Sequence, residues 1–252
     1  MNRTNPATPR GKRRASRWKA AAAAVPALLL PLAAAGVTAR PAQAQVFNAI
    51  YDFTGQPGDQ TSSPVTSGAP AGLTFSDIVR GSGINPVNGV NSFNADGWTT
   101  AAAPDLNDYF GFTITPGVTV SSYSLTDLDF TERRSGTGPT QFVVRTSLDG
   151  FAANVFSGTL PDDTNNRRQS FDFGSAFSSM TTSLTIRIYG FAAEGTGGTW
   201  RLGPSGTGQP ANLIVGGTVT SASSAVPEPG TLALMGAPLL VLGALRARRR
   251  RG

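Results

Sequence analysis

Two carboxylates raise the first chemical question. Asp127 and Asp129 stand two residues apart in the run Leu125-Thr126-Asp127-Leu128-Asp129-Phe130. On a strand, Leu128 and Phe130 turn to one face and both aspartates to the other, about 7 Å apart. An inverting glycosidase leaves roughly 6.5–9.5 Å between its acid and its base. Any i, i+2 pair on a strand gives that spacing, so the pattern is weak evidence for hydrolysis. Asp162-Asp163-Thr164-Asn165-Asn166 gathers the oxygen ligands that calcium takes, but lacks the EF-hand spacing and its glycine, and a solvated turn is the better reading. Trp98, Tyr109, Tyr123 and Trp200 would stack on sugar rings if exposed, although Trp200, within Gly197-Gly198-Thr199-Trp200-Arg201-Leu202, reads as core. Arg133, Arg134, Arg145 and Arg187 offer either a polyanion site or, the favoured reading, ion pairs with Glu132, Asp127 and Asp129. In Leu148-Asp149-Gly150-Phe151, Asp149 caps a turn, Gly150 takes a positive φ and Phe151 returns to the core.

Much other chemistry is excluded by composition. The 252 residues contain no His and no Cys, and both lysines, Lys12 and Lys19, lie near the N-terminus. A Ser-His-Asp triad, a cysteine nucleophile, a Schiff-base lysine and a zinc site on His or Cys therefore have no residues to build them in the middle of the chain. The formal charge of +6 suggests a nucleic-acid partner until it is placed. Residues 1–44 hold eight of the positive charges and Arg246 to Gly252 five more, whereas between Gln45 and Ala225 eight arginines face 14 acids, a net charge of −6. A surface of that sign repels phosphates, so nucleic acid is not an expected partner.

The elements that must position these residues read as β throughout. Short runs of Val, Ile, Thr, Phe and Tyr are punctuated by Gly, Pro, Asn and Asp. Expected strands are Ala49 to Phe53, Thr74 to Val79, Tyr109 to Thr115, Val118 to Phe130, Gln141 to Ser147, Val155 to Leu160, Gln169 to Phe173, Leu184 to Phe191, Gly198 to Leu202 and Asn212 to Thr220. Ser175 to Met180 reads as one helical turn, and 68–104 as the least regular stretch. About ten strands over residues 45–220 predict a single all-β antiparallel sandwich, jelly-roll-like rather than immunoglobulin-like because no Cys-Trp-Cys framework exists. Without cysteine, its core must be held by packing alone.

Both ends read as addresses. A basic stretch precedes an uncharged run from Ala20 to Val37, and Ala42 and Ala44 supply the small residues at −3 and −1 that signal peptidase requires, so residues 1–44 form a signal peptide with Gln45 as the new first residue. Ser16-Arg17 replaces the hydrophobic pair of a twin-arginine signal, which favours the general secretory route. At the other end, 221–225 is a small, polar tether, followed by Pro227-Glu228-Pro229, an uncharged run from Thr231 to Leu245, and Arg246, Arg248, Arg249, Arg250 and Arg251. Fifteen residues of helix reach only about 22 Å of a roughly 30 Å hydrocarbon core, a marginal transmembrane span whose arginines stay cytoplasmic.

The tripeptide, the short apolar helix and the terminal arginines together resemble the PEP-CTERM sorting signal of exported proteins in Gram-negative bacteria that make extracellular polysaccharide. The resemblance assigns 226–252 to that signal and implies an exosortase as processing partner, transient anchoring in the inner membrane, and delivery to the cell surface or extracellular matrix. Two internal blocks, Arg133 to Pro139 followed by Phe142 to Phe151, and Ile186 to Phe191 with Gly197 to Leu202, also resemble segments of such ectodomains, which commonly continue from Gly-Thr-aromatic-Arg into Asp-Asn and the last strand. Here Gly203 to Ala211 intervenes before Asn212 and the Asp is missing. The expectation is a non-enzymatic structural protein of the polysaccharide matrix, with a carbohydrate-binding module, calcium-dependent or not, as the alternative and a carboxylate-only glycosidase behind it. No cofactor is expected.

Overall fold

The computed structural model describes residues 43–204 and 210–222. Ala42, Pro227, Glu228, Pro229 and the terminal arginines lie outside them. The described chain forms fifteen strands: β1 (Ala44–Asp52), β2 (Pro57–Gly58), β3 (Ser62–Ser63), β4 (Leu73–Phe75), β5 (Ile78–Arg80), β6 (Asn85–Pro86), β7 (Ser92–Asp96), β8 (Tyr109–Pro116), β9 (Val120–Arg134), β10 (Pro139–Thr146), β11 (Phe156–Thr159), β12 (Arg167–Asp172), β13 (Leu184–Ala193), β14 (Trp200–Leu202) and β15 (Asn212–Ser221). A 3-10 turn at Ser175–Phe177 stands where the single helical turn was expected.

Eight of these strands carry the jelly roll. One sheet runs β1-β15-β9-β12 and the other β8-β13-β10-β11, and the chain crosses between them at nearly every step, as two nested Greek keys require. β14, β7, β2 and β6 extend the first sheet; β3, β4 and β5 extend the second. The expected strand Thr74 to Val79 divides into β4 and β5. β7, Ser-Phe-Asn-Ala-Asp, was not foreseen, because Asn, Asp and Ser are depleted in strands, yet four of its five residues are buried.

Alternation sorts the core from the outside. Phe110, Phe112 and Ile114 of β8, Phe142 and Val144 of β10, and Leu184, Ile186 and Ile188 of β13 all point inward. On β9 the inward set changes phase. Tyr123 and Leu125 are buried first, then Leu128 and Phe130, because the register with β15 passes from Leu125↔Gly217 to Asp127↔Gly216 and leaves Thr126 as an extra residue. This bulge keeps both halves of a fifteen-residue strand facing one core. Beyond Phe130 the inward positions fall on Glu132 and Arg134, two charged groups that the sandwich must satisfy internally.

Trp200 satisfies the first. Its indole N–H donates to Glu132 Oε2 at 3.1 Å, and its ring meets Trp98, Phe110 and Phe142 at centroid distances of 5.3, 5.7 and 5.8 Å. Burial pushes the Glu132 carboxyl above the usual range, against the opposing pull of Trp200, Gln169 and Arg167. Arg134 donates to the carbonyls of Ser135, Leu160 and Gly136 and pairs with Glu194. Both tryptophans close over Gly190, where a Cβ would stand 2.8 Å from Trp98 Cε3 and 3.0 Å from Trp200 Cε3.

Two outcomes follow. Gly190→Ala overpacks the tryptophan pair and lowers stability by about 1–3 kcal/mol in urea unfolding; an unchanged midpoint would mean that the rings yield freely. The folded state holds the Glu132 proton more tightly than the unfolded chain. Its contribution therefore rises as pH falls from neutral toward the ordinary glutamate range. Melting temperature against pH in Glu132→Gln should lack this component, and curves that run parallel would contradict it.

Candidate functional site

The two aspartates face outward, as their alternation with Leu128 and Phe130 requires, on the outer side of the β1-β15-β9-β12 sheet. Both are engaged. Asp129 Oδ2 lies 3.4 Å from Arg168 Nη2 on the adjacent strand. Asp127 Oδ1 accepts from Thr126 Oγ1 at 2.7 Å, and its carboxylate occupies the space that a Cβ on Gly216 would need. Burial pushes the carboxyl of Glu132, pointing through the sheet to Trp200, and that of Asp108, which accepts the Thr99 N–H at 2.8 Å, above the usual range. Neither stands on the face that carries Asp127 and Asp129.

The Asp162 to Asn166 loop spends its carboxylates on arginines. Asp163 pairs with Arg167 and also accepts the Asn165 N–H at 3.1 Å, and Asp162 lies 3.8 Å from Arg134. Among the described residues no cluster of three metal-ligating side chains forms. The expected sugar-stacking aromatics are mostly internal: Trp98, Tyr123 and Trp200 are buried and only Tyr109 is half-exposed.

The arginines separate in a way their spacing did not reveal. Glu132 and Asp129 pair with Arg167 and Arg168 of β12, not with the four arginines expected. Strand register explains this, since Arg167 lies directly opposite Glu132. Among those four, Arg134 alone meets acids, Glu194 and Asp162, while Arg133 Nε donates to the Thr164 carbonyl at 2.6 Å.

Arg145 and Arg187 sit on the other sheet, on its outer face. Because Leu184, Ile186 and Ile188 point inward, Thr185, Arg187 and Tyr189 point outward. Cross-strand register then assembles Val143, Tyr189 and Tyr109 in one row and Arg145, Arg187 and Gly111 in the next. Thr113 and Thr185 follow, their hydroxyls 2.9 Å apart. The Arg187 guanidinium carbon lies 4.2 Å from the Tyr109 ring centroid and 4.0 Å from that of Phe151, so the cation is held between two rings. Its Nη1 is 3.5 Å from the Tyr189 hydroxyl, and its Nε is buried with no hydrogen-bond partner. Tyr189 itself packs with Val143, Phe191 and Tyr109 in a small apolar cluster outside the main core.

A tight turn brings Phe151 there. Asp149 accepts the N–H groups of Ala152 and Ala153 at 3.1 and 2.8 Å; these backbone bonds, that of Ala153 foremost, hold its carboxyl below the usual range. Gly150 has the expected positive φ, 71°. Phe151 also has a positive φ, 65°, and covers Arg187 on the outside instead of returning to the core. A bulky residue in that region is strained by about 1–3 kcal/mol. Arg145 braces the turn, with Nε donating to Asn154 Oδ1 at 2.8 Å and Nη1 to the Phe151 carbonyl at 3.2 Å. Tyr189, Phe151, Thr113 and Thr185 were not anticipated as members of this site. The alternation Ile186-Arg187-Ile188-Tyr189 carries the signal for Tyr189, whereas nothing local places Phe151 outside.

No family model matches the chain, and no curated protein matches it. Among solved structures, it is similar to a mutant of a family 29 carbohydrate-binding module, at 13% identity and a TM-score of 0.33, covering 72% of this chain and 99% of that one. It is also similar to a family 27 module of Caldicellulosiruptor saccharolyticus in complex with mannohexaose, at 10% identity and a TM-score of 0.34, covering 66% and 95%. A family 61 module in complex with β-1,4-galactotriose gives 10% identity and a TM-score of 0.24, covering 69% and 99%. The ligands belong to those proteins.

The strain at Phe151 is testable by reversing the ordinary order of Ala and Gly. Both Phe151→Ala and Phe151→Gly lose the ring, but only alanine keeps a disfavoured backbone. The glycine variant should be the more stable by about 1 kcal/mol in urea unfolding; a more stable alanine variant would mean that the turn is unstrained.

Proposed function

We propose that this is an exported, non-enzymatic jelly-roll protein that binds polysaccharide through the outer face of its β8-β13-β10-β11 sheet. The observation that carries the reading is Arg187, clamped between Tyr109 and Phe151 and flanked by Arg145, Thr113 and Thr185. Fixed hydrogen-bond donors beside aromatic walls suit a ligand that presents hydroxyls at its edges and C–H groups on its faces. A rigid sheet positions them, so little ordering is left to be done on binding. The aspartate pair lies on the opposite outer face, and the reading uses no catalytic group.

The ends of the chain belong to the same proposal. Signal peptidase would release the N-terminus after Ala44, and an exosortase would act on the segment that contains Pro227, Glu228 and Pro229. Gln45, the first residue after that cleavage, pairs with Val219 across β1 and β15, so the processed N-terminus and the start of the C-terminal segment leave one end of one sheet. That arrangement is compatible with tethering through the C-terminal segment and with binding at the outer face of the opposite sheet. The processed protein would then reach the cell surface or the surrounding matrix.

Two measurements test this. In affinity electrophoresis, the full-length chain in mild detergent should be retarded by gels containing extracellular polysaccharide, with Arg187→Ala weakening retention about tenfold; migration unaffected by every polysaccharide tried would remove the binding reading. In cells, alanine at Pro227, Glu228 and Pro229 should leave the C-terminal tail attached and the protein in the inner membrane. Normal processing of that variant would end the sorting proposal independently.

A further inference from the structure

The site's charges specify the kind of sugar. Arg145 and Arg187 are directly opposite each other on antiparallel strands, where like charges destabilise a sheet. Between Gln45 and Ala225 acids outnumber arginines by 14 to eight, so carboxylates to neutralise the pair are in excess. Arg134, Arg167 and Arg168 take such partners. Among the described residues, Arg145 and Arg187 have none within 4 Å, and the one acid in the adjoining turn, Asp149, faces its own backbone N–H groups. Arg145 commits Nε and Nη1 to the turn, and among the described residues Arg187 meets a protein acceptor only at Nη1. Among the described residues, the Nη2 groups of both have no protein acceptor.

A second cross-strand pair differs. Arg133 and Arg201 are also opposite each other, and Arg201 Nε too is buried without a hydrogen-bond partner, but Arg133 Nε is spent on the Thr164 carbonyl. Among the described residues, no aromatic ring lies over either guanidinium. Around Arg187, the rings of Tyr109 and Phe151, 4.2 and 4.0 Å from the guanidinium carbon, restrict its hydration and its freedom to turn. This strengthens an ionic hydrogen bond at its open edge and removes most of the rotamer entropy lost on binding.

We infer that the outer face of the β8-β13-β10-β11 sheet takes a carboxylate-bearing sugar, a hexuronate unit of an acidic polysaccharide, with the open edges of Arg145 and Arg187 as the carboxylate receptor. This rests on the polysaccharide-binding reading. A planar carboxylate matches the guanidinium fork, and Thr113 and Thr185 stand in the next row to meet ring hydroxyls. The net charge of −6 disfavours polyanions over the surface as a whole, but at this face the local field is that of two arginines without a carboxylate, and acids beyond about 8 Å are screened at physiological salt.

The experiment compares three probes against the full-length chain in mild detergent: alginate, the same alginate with its carboxyl groups reduced to alcohols, and dextran sulfate. Alginate should bind at least about tenfold more tightly than its reduced form, and about 0.5 M salt should remove the difference. Arg187→Gln and Arg145→Gln should each abolish the preference, with melting temperature confirming the fold, whereas Arg133→Gln should leave it intact. Equal binding of native and reduced alginate would overturn the carboxylate receptor while keeping the polysaccharide reading. Failure of all three probes and of neutral glycans would overturn both. Dextran sulfate binding as tightly as alginate would overturn the carboxylate in favour of a general anion site, and a preference that survives both glutamine variants would overturn its placement.

Discussion

The sandwich depends on the hydrogen bond from Trp200 to Glu132 and the aromatic layer built around it. With no disulfide available, the two sheets are held together by rings: Trp200, on the first sheet, touches Phe110 and Phe142 of the second and Trp98 in the loop after β7. A buried carboxylate costs several kcal/mol unless it is satisfied. Glu132 is kept in place by the indole, by Gln169 at 3.4 Å and by Arg167 at 3.7 Å. These partners come from β14 and β12, which flank β9, so the charge ties three strands of one sheet to the core they cover. Gly190 completes the arrangement by letting the tryptophans approach the backbone of the second sheet.

Once the even-numbered residues of β13 are committed to that core, the odd-numbered ones have no choice of face. Tyr189 is two residues from Arg187, and Gly190 fixes the phase of both. The binding face is thus the reverse side of the packing problem. Its further shape comes from loops. Carbonyls of Thr99 and Ala101 bond Ala193 and Ala192 at one margin, and the strained turn at Gly150 and Phe151 closes over Arg187 at the other. An arginine on a strand is ordinarily mobile and solvated; here, aromatic walls on both sides make it part of the surface relief.

Much of the architecture was legible, and for a physical reason. Period-two alternation in 109–115, 141–147 and 184–191 reports burial of one face directly, and the strands formed with those faces inward. The two-residue strands β2, β3 and β6, and the polar β7, escaped because their stability comes from neighbours and not from their own residues. The bulge at Thr126 was also invisible, since one extra residue on one strand has meaning only against its partner. Leu128 and Phe130 nevertheless turned inward as expected, because the alternation on either side of a bulge is local.

The site was less legible. Residue types alone established what chemistry the domain lacks: without His, Cys or Lys between Gln45 and Ala225, a Ser-His-Asp triad, a cysteine nucleophile, a Schiff-base lysine and a zinc site on His or Cys have no side chains to use. They also established the sign of the charge on the domain and the faces of β8, β10 and β13. Which arginine meets which acid was decided only by the tertiary structure. Ion pairing depends on distances of a few ångströms between strands far apart in sequence, and the register that sets those distances comes from packing the whole sandwich. The same packing hid Trp98 and Trp200, gave Glu132 to Trp200 and Arg167, and left Arg145 and Arg187 facing outward without a carboxylate.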